Sequence, residues 1–413
     1  MNGMPKPPPL ALEEAQARLL ALAGVLPIER VDVESALGHF LAEPLAARRT
    51  QPPADLSAMD GYAVTGGDLA GPWHIVGESA AGHPWSGKLR AGEAVRISTG
   101  AAVPREAGAV ILQEDLRKDG QVIVLTGTPP QPESRHIRPC GMDFRQGGII
   151  LGAGTRIGPA QAALAIAAGH RHIAVRRRPR LAIIDSGDEL AADAEACGPH
   201  QIPASNGAML AAMAAGLPCI TNRIGPVADD MDALARALDA ASPADVIVTS
   251  GGASVGDHDL VRPALEAWGA KIDFWRIAIK PGKPLLVATR DTASAGPPRR
   301  QIILGLPGNP VSSHVTAYLF MLPLLRGLLG AAEPLPRRIR ARLAEPLHPA
   351  GGRREFLRAH WDGADITPHA VQDSGALASL AASNALIDRA AGAPATPAGE
   401  WVDAYLLAGG GLT

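Results

Sequence analysis

DVIVTSGGASVGDHD, residues 245–259, is an apolar run that stops at a glycine pair and is followed within seven residues by two carboxylates. A short apolar run closed by glycine reads as a buried strand, and the helical pattern LVRPALEAWG (260–269) that follows makes it half of a βαβ unit. The alternation extends in both directions. Upstream lie RLAIID (180–185) as strand, SNGAMLAAMAAG (205–216) as helix, PCITNRIG (218–225) as strand and DDMDALARALDAA (229–241) as helix. Downstream lie the strands IDFWRIAI (272–279), PLLVATR (284–290) and QIILGL (301–306), then a long helix from Val311. Such alternation predicts a central α/β domain built on a mostly parallel, twisted sheet.

The flanking sequence has other periods. Leu12, Ala15, Leu19 and Leu22 share one helical face, with Glu13 and Glu14 in the first turn, where the helix dipole favours them. From Arg48 to Met142 short apolar runs (WHIVG, EAVRIST, AVILQE, QVIVLT) alternate with Gly and Pro clusters, the pattern of a small β-rich unit. A helix is expected again over 159–168, so the β-rich unit reads as an insertion. The chain is a multidomain α/β and β protein on this reading: an N-terminal helical and linker domain (1–47 and 143–179), an inserted β-rich domain (48–142), the α/β domain (180–330) and a small C-terminal barrel-like β domain (331–413).

Composition bounds the function. Lys and Arg (39) nearly balance Asp and Glu (41), so no global field draws nucleic acid or an anionic membrane. Cys140, Cys197 and Cys219 are far apart and in no metal-binding spacing, which fits a reducing compartment. The N-terminus has no basic segment followed by an apolar run, and the most apolar later stretch is broken by Pro323 and Arg326. A cytoplasmic protein is expected.

Every conspicuous loop of the α/β part follows a strand: DSGDEL, SGGASVGDHD, KPGKP and LPGNP. Ligands of open α/β sheets bind outside the carboxyl ends of strands, so these loops are expected to converge on one site. The glycines Gly251, Gly252 and Gly256 offer backbone N–H groups to phosphate, yet Asp257 and Asp259 repel it, so the loop joins features suited to opposite charges.

The strings SAMDGYA (57–63), STGA (98–101), SGDEL (186–190), TSGGASVGD (249–257), AIKPGKP (278–284), LPGNPVS (306–312) and GRREFLR (352–358) resemble, in order, the molybdopterin molybdenumtransferases, the family of bacterial MoeA proteins and the gephyrin E domain. The resemblance implies insertion of molybdenum from molybdate into adenylylated molybdopterin, with release of AMP and help from Mg²⁺. Its implied metal ligands are Asp188, Glu189, Asp257 and Asp259, more acids than Mg²⁺ takes. Asp60, Thr99, Glu189, Asp259 and Lys280 carry the implied catalytic roles, and Glu114 belongs to the same group of site residues. Substrate binding falls to Gly251, Gly252, Ser254, Asp143, Asp229, Arg276, Lys283, Pro307, Gly308, Asn309, Pro310 and Ser374.

Lys280, Lys283 and Arg276, with the LPGNP loop, Ser312 and Ser313, are the groups expected to hold the molybdate dianion. Asp229 reads equally as a site acid or as the N-cap of the helix that follows. The resemblance further implies a homodimer with shared active sites, Asp60 of one chain acting with Asp259 of the other. Its implied partners are a molybdopterin adenylyltransferase and apo-molybdoenzymes. Departures are Arg276, where many relatives carry Lys, the extra carboxylate Asp185, and Met142 before Asp143. Two other readings stand beside this one: nucleotidyl transfer of the adenylyltransferase kind, and a non-catalytic scaffold of the gephyrin kind.

Overall fold

The structure, a computed structural model, describes residues 9–67, 69–251, 260–292 and 299–407. Its central sheet has six strands in the order Ile220–Val227, Arg180–Ser186, Val246–Ser250, Arg299–Leu306, Leu286–Thr292, Lys271–Trp275. The first four are parallel; Leu286–Thr292 alone runs antiparallel to them, and Lys271–Trp275, antiparallel to Leu286–Thr292, runs in the direction of the first four. The reversal at Leu286–Thr292 follows from connection length, because the residues between it and Arg299–Leu306 are too few for a crossover. Helices Asn206–Ala214 and Pro310–Thr316 pack on one face, around Val248, Leu304 and Phe320. Met231–Ala240 and Val261–Ala267 pack on the other, around Ile247 and Ile303. The basic junction before the sheet is anchored by Arg177, which donates to both oxygens of buried Asp245 at 2.8 and 2.7 Å.

The IDFWRIAI segment is not one strand. It breaks at Arg276, whose φ of 93° is far from strand geometry. Beyond the break, Ile279–Lys280 leaves the central sheet and pairs with Arg354–Trp361 of the C-terminal unit. That unit closes on itself, since Arg354–Trp361 also pairs with Asp365–Pro368 and Ala385–Arg389, and Arg338–Leu343 and Trp401–Leu406 complete the ring.

The expected helical N-terminal domain is corrected to a mixed one. Helix Leu12–Leu22 buries Leu12, Ala15 and Leu19 in the core of the α/β part. The remaining N-terminal segments form a separate core in which Ile28–Asp32 pairs with His172–Arg176 against helix Pro159–Ala167. The apolar run Ile173, Ala174 and Val175 is buried and too short for a helix, so it satisfies its backbone in a ladder. Between these segments lies a six-stranded sheet centred on Gly61–Thr65, Glu93–Ile97 and Trp73–Ser79. Among the described residues no helix is long and apolar enough to cross a membrane.

Candidate functional site

Strands Arg180–Ser186, Val246–Ser250 and Arg299–Leu306 end level with one another, with Asp185 opposite Ser250 and Ser250 opposite Leu306. Their loops open into a cavity of about 450 Å³ lined by Glu189, Asn206, Ser250, Gly251, Gly308 and Asn309 among others. Asn206 ties the loops together. Its Nδ2 donates to Ser250 Oγ at 2.9 Å and to the Gly308 carbonyl at 2.7 Å. Gly251 needs to be glycine twice over: its φ is 100°, and a Cβ there would lie 2.5 Å from the Ser186 carbonyl oxygen.

The acids at and beside this cavity differ in their surroundings. Asp185 is buried at the strand end, and burial raises its carboxyl above the usual range against the opposing pull of Arg223 and the Gly207 N–H. A side chain at Gly207 would collide with that carboxylate, since a Cβ would sit 2.0 Å from Asp185 Oδ2. Glu189 lines the cavity, whereas Asp188 does not; Asp188 Oδ1 accepts from the Asp229 N–H at 3.1 Å. The two readings of Asp229 are resolved in part, because the N-cap is its neighbour Asp230, which accepts from the Ala233 N–H at 2.9 Å. Asp229 is left beside Asp188 and Glu189, and its carboxyl is raised first by burial and then by those two charges. Among the described residues no three carboxylate, histidine or cysteine groups are grouped to hold a metal ion.

A second cavity, about 350 Å³, is lined by Lys280, Lys283, Ser312, Arg353, Asp373 and Ser374 among others. Lys280 Nζ donates to Glu355 Oε1 at 3.1 Å. Arg353 Nη1 donates to the Ile279 carbonyl at 3.2 Å, so a guanidinium of the C-terminal barrel is brought to the KPGKP loop. The loop that carries Ser374 is held by buried Arg358, which donates to the carbonyls of Val371, Asp373 and Ala376 at 3.1, 2.8 and 3.3 Å.

The expected single site is therefore two cavities. Gly308, Asn309 and Pro310 line the first and not the lysine cavity. Pro307 and Ser313 are buried and line neither. The Val311 N–H, at the helix entrance, is already bonded to the Ser374 carbonyl at 3.0 Å. Arg276 also lines neither cavity; its backbone N–H bonds the Leu285 carbonyl and its carbonyl accepts from Leu10. Gly252, Ser254, Asp257 and Asp259 lie outside the described residues.

Asp60 and Thr99 meet in the β-rich sheet, where Asp60 Oδ1 accepts from the Thr99 N–H at 2.6 Å and from its hydroxyl at 2.9 Å. Those bonds hold the exposed Asp60 carboxyl below its usual range. Glu114 and Asp143 are likewise exposed, and none of these four residues lines either cavity. Sequence reasoning missed Asn206, Arg353 and Glu355. The signals were present: SNG opening a helix in an α/β chain, and Arg353 and Glu355 among the charged residues of GRREFLR.

Three family models match the chain: the MoeA N-terminal region (domain I and II) over residues 10–169, the probable molybdopterin binding domain over 182–327, and the MoeA C-terminal region (domain IV) over 340–407. A molybdopterin molybdenumtransferase of a Nostoc species is 34% identical over 375 residues, 87% of this chain and 84% of that protein. One of Haemophilus influenzae is 32% identical over 85% of this chain and 86% of its own length. A molybdopterin biosynthesis MoeA protein of Pyrococcus horikoshii superposes with a TM-score of 0.81 at 25% identity, over 97% of this chain and all of that one (100%).

Proposed function

This chain belongs to the MoeA family, and from that premise we propose that it is a molybdopterin molybdenumtransferase, which inserts molybdenum from molybdate into adenylylated molybdopterin and releases AMP. The observation that carries this reading is the pair of cavities that share the Asn309–Ser374 contact as a common wall. One opens at the strand ends, where ligands of α/β sheets bind, and is lined by Gly251 and Gly308. The other presents Lys280, Lys283 and Arg353, cations suited to an oxyanion.

In this reading the first cavity holds the pyrophosphate against the Gly308 backbone, since the Gly251 N–H is already bonded to the Leu306 carbonyl at 3.3 Å, with Asn206 fixing the spacing of the loops. The second holds molybdate against the two lysines and Arg353, and Ser374 orients it from the shared wall. Mg²⁺ fits the acidic edge, because the Asp229 carboxyl, raised first by burial, is raised further by the charges of Asp188 and Glu189, a repulsion that a divalent cation relieves. Asp188 and Glu189 would hold the ion, together with Asp257 and Asp259 of the loop outside the described residues. When bound, it supplies positive charge to the phosphoanhydride oxygens.

The exposed position of Asp60 and Thr99, away from both cavities, supports a homodimer in which the β-rich unit completes the site of the partner subunit. The division of the chain at residues 47, 142, 179 and 330 belongs to the same proposal, as do delivery of substrate by an adenylyltransferase and transfer of product to apo-molybdoenzymes in the cytoplasm. The test is to incubate the purified protein with adenylylated molybdopterin, molybdate and Mg²⁺ and to assay AMP and metal-bound cofactor. AMP released at an undiminished rate without molybdate would leave a plain hydrolase.

A further inference from the structure

Lys280 and Glu355 face each other as register partners where Ile279–Lys280 joins the C-terminal barrel. The two side chains are unequal. Glu355 is 9% exposed and fixed in a long strand, whereas Lys280 is 56% exposed on a flexible stem. Lys280 lines the oxyanion cavity and Glu355 stands directly behind it, 3.1 Å away. The remaining charges lining that cavity are Lys283, Arg353 and Asp373, and Asp373 is turned to its own loop, accepting from the Gly375 N–H at 2.8 Å.

We propose that Glu355 is the internal counter-ion of this cavity: it occupies the Lys280 ammonium while the cavity is empty, and an incoming oxyanion must compete with it for that ammonium. The inference rests on the oxyanion reading of the cavity given above. A carboxylate that cannot leave its strand opposes a dianion in two ways, by Coulomb repulsion across a few ångströms and by holding a donor the dianion needs. Lys280 has three donors and a mobile stem, so it can turn from one anion to the other without movement of the backbone. Glu355 therefore lowers oxyanion affinity and keeps loading reversible. A residue that merely held Lys280 in place for the ligand would act in the opposite direction, and the sign of one substitution separates the two roles.

The experiment is calorimetric titration of the full chain with sodium molybdate and, separately, sodium sulfate at fixed ionic strength. Glu355→Gln keeps the shape and removes the charge; it is expected to tighten both anions by about tenfold and by the same factor. Glu355→Asp withdraws the charge from Lys280 without removing it and is expected to fall between wild type and E355Q, which keeps the test decisive if E355Q fails to fold. Affinity unchanged or weakened in the variants that fold would overturn the proposal, as would tightening of molybdate alone, which would report a change of shape. Absence of oxyanion binding in wild type and variants alike would overturn it together with the oxyanion reading. If the affinity order holds but the wild-type protein shows no molybdate-dependent AMP release, the counter-ion stands and the proposed reaction fails.

Discussion

Asn309 and Ser374 lie 65 positions apart in the chain and are joined by a hydrogen bond of 3.0 Å from Asn309 Nδ2 to Ser374 Oγ. Asn309 lines the strand-end cavity and Ser374 the lysine cavity, so this bond joins the lining of one to the lining of the other. Asn309 sits at the N-cap position of helix Pro310–Thr316 but makes no capping bond with its side chain.

Ser374→Ala removes the acceptor of the Asn309 amide while leaving the backbone bond to Val311 in place. One lost hydrogen bond of this kind is worth about 1 kcal/mol, so kcat/KM for molybdate should fall about fivefold with little change in melting temperature. Steady-state kinetics with molybdate varied checks this, and an unchanged value would show that the shared wall has no part in turnover.

Arg358 is 1% exposed and is spent wholly on carbonyls of the loop that presents Ser374. Burial pulls its pKa below that of an ordinary guanidinium. Arg358→Met should strand those carbonyls and lower stability by about 3 kcal/mol, read as a shift of the urea midpoint. Arg358→Lys, with fewer donors, should lie between the two, and its KM for molybdate should rise more than its kcat falls.

The Asp60 carboxyl is depressed first by the Thr99 N–H and then by the Thr99 hydroxyl. Thr99→Val keeps the first and removes the second, so the Asp60 pKa should rise toward the ordinary aspartate range. The sign follows: a carboxylate less stabilised as an anion protonates at higher pH, and any acidic limb of activity that reports Asp60 should move up with it. Carbon-13 titration of labelled Asp60 measures the shift directly.

If the site is shared between subunits, Asp60→Ala and Lys280→Ala damage different chains of one site. Mixing the two inactive proteins under subunit exchange gives heterodimers with one doubly damaged and one intact site, and random pairing restores about a quarter of wild-type activity. Verified heterodimers without activity would place both residues in one chain.

The raised Asp185 pKa has a stability consequence. Between its unfolded and folded values the native state holds more protons, so stability falls as pH rises through that window. Asp185→Asn should remove this slope and leave the protein at least as stable as wild type at neutral pH, because an ionised buried carboxylate is no longer required. Urea unfolding from pH 4 upward checks it; a steeper slope in the variant would contradict the assignment.

Much of this was decided locally and so was legible in the residues. The apolar runs ending in SG, TSGG and LPGNP impose strand-then-loop geometry through nearest neighbours, and Leu12, Ala15 and Leu19 mark their helix face by spacing alone. Their order along the chain carried the resemblance to the MoeA family. Pairing was not local. That Leu286–Thr292 turns the sheet antiparallel, that Ile279–Lys280 defects to the barrel after the break at Arg276, and that helix Leu12–Leu22 joins the α/β core depend on which distant backbone and apolar surface each segment meets. The site divides in the same way. The sequence supplied Lys280, Lys283 and Asn309 as residue types suited to anions, but Asn206, Arg353 and Glu355 acquire their roles only through bonds to segments as far as 102 positions away. A side chain's chemistry is fixed by its own atoms, whereas its charge partner is fixed by packing, and packing exists only in the folded chain.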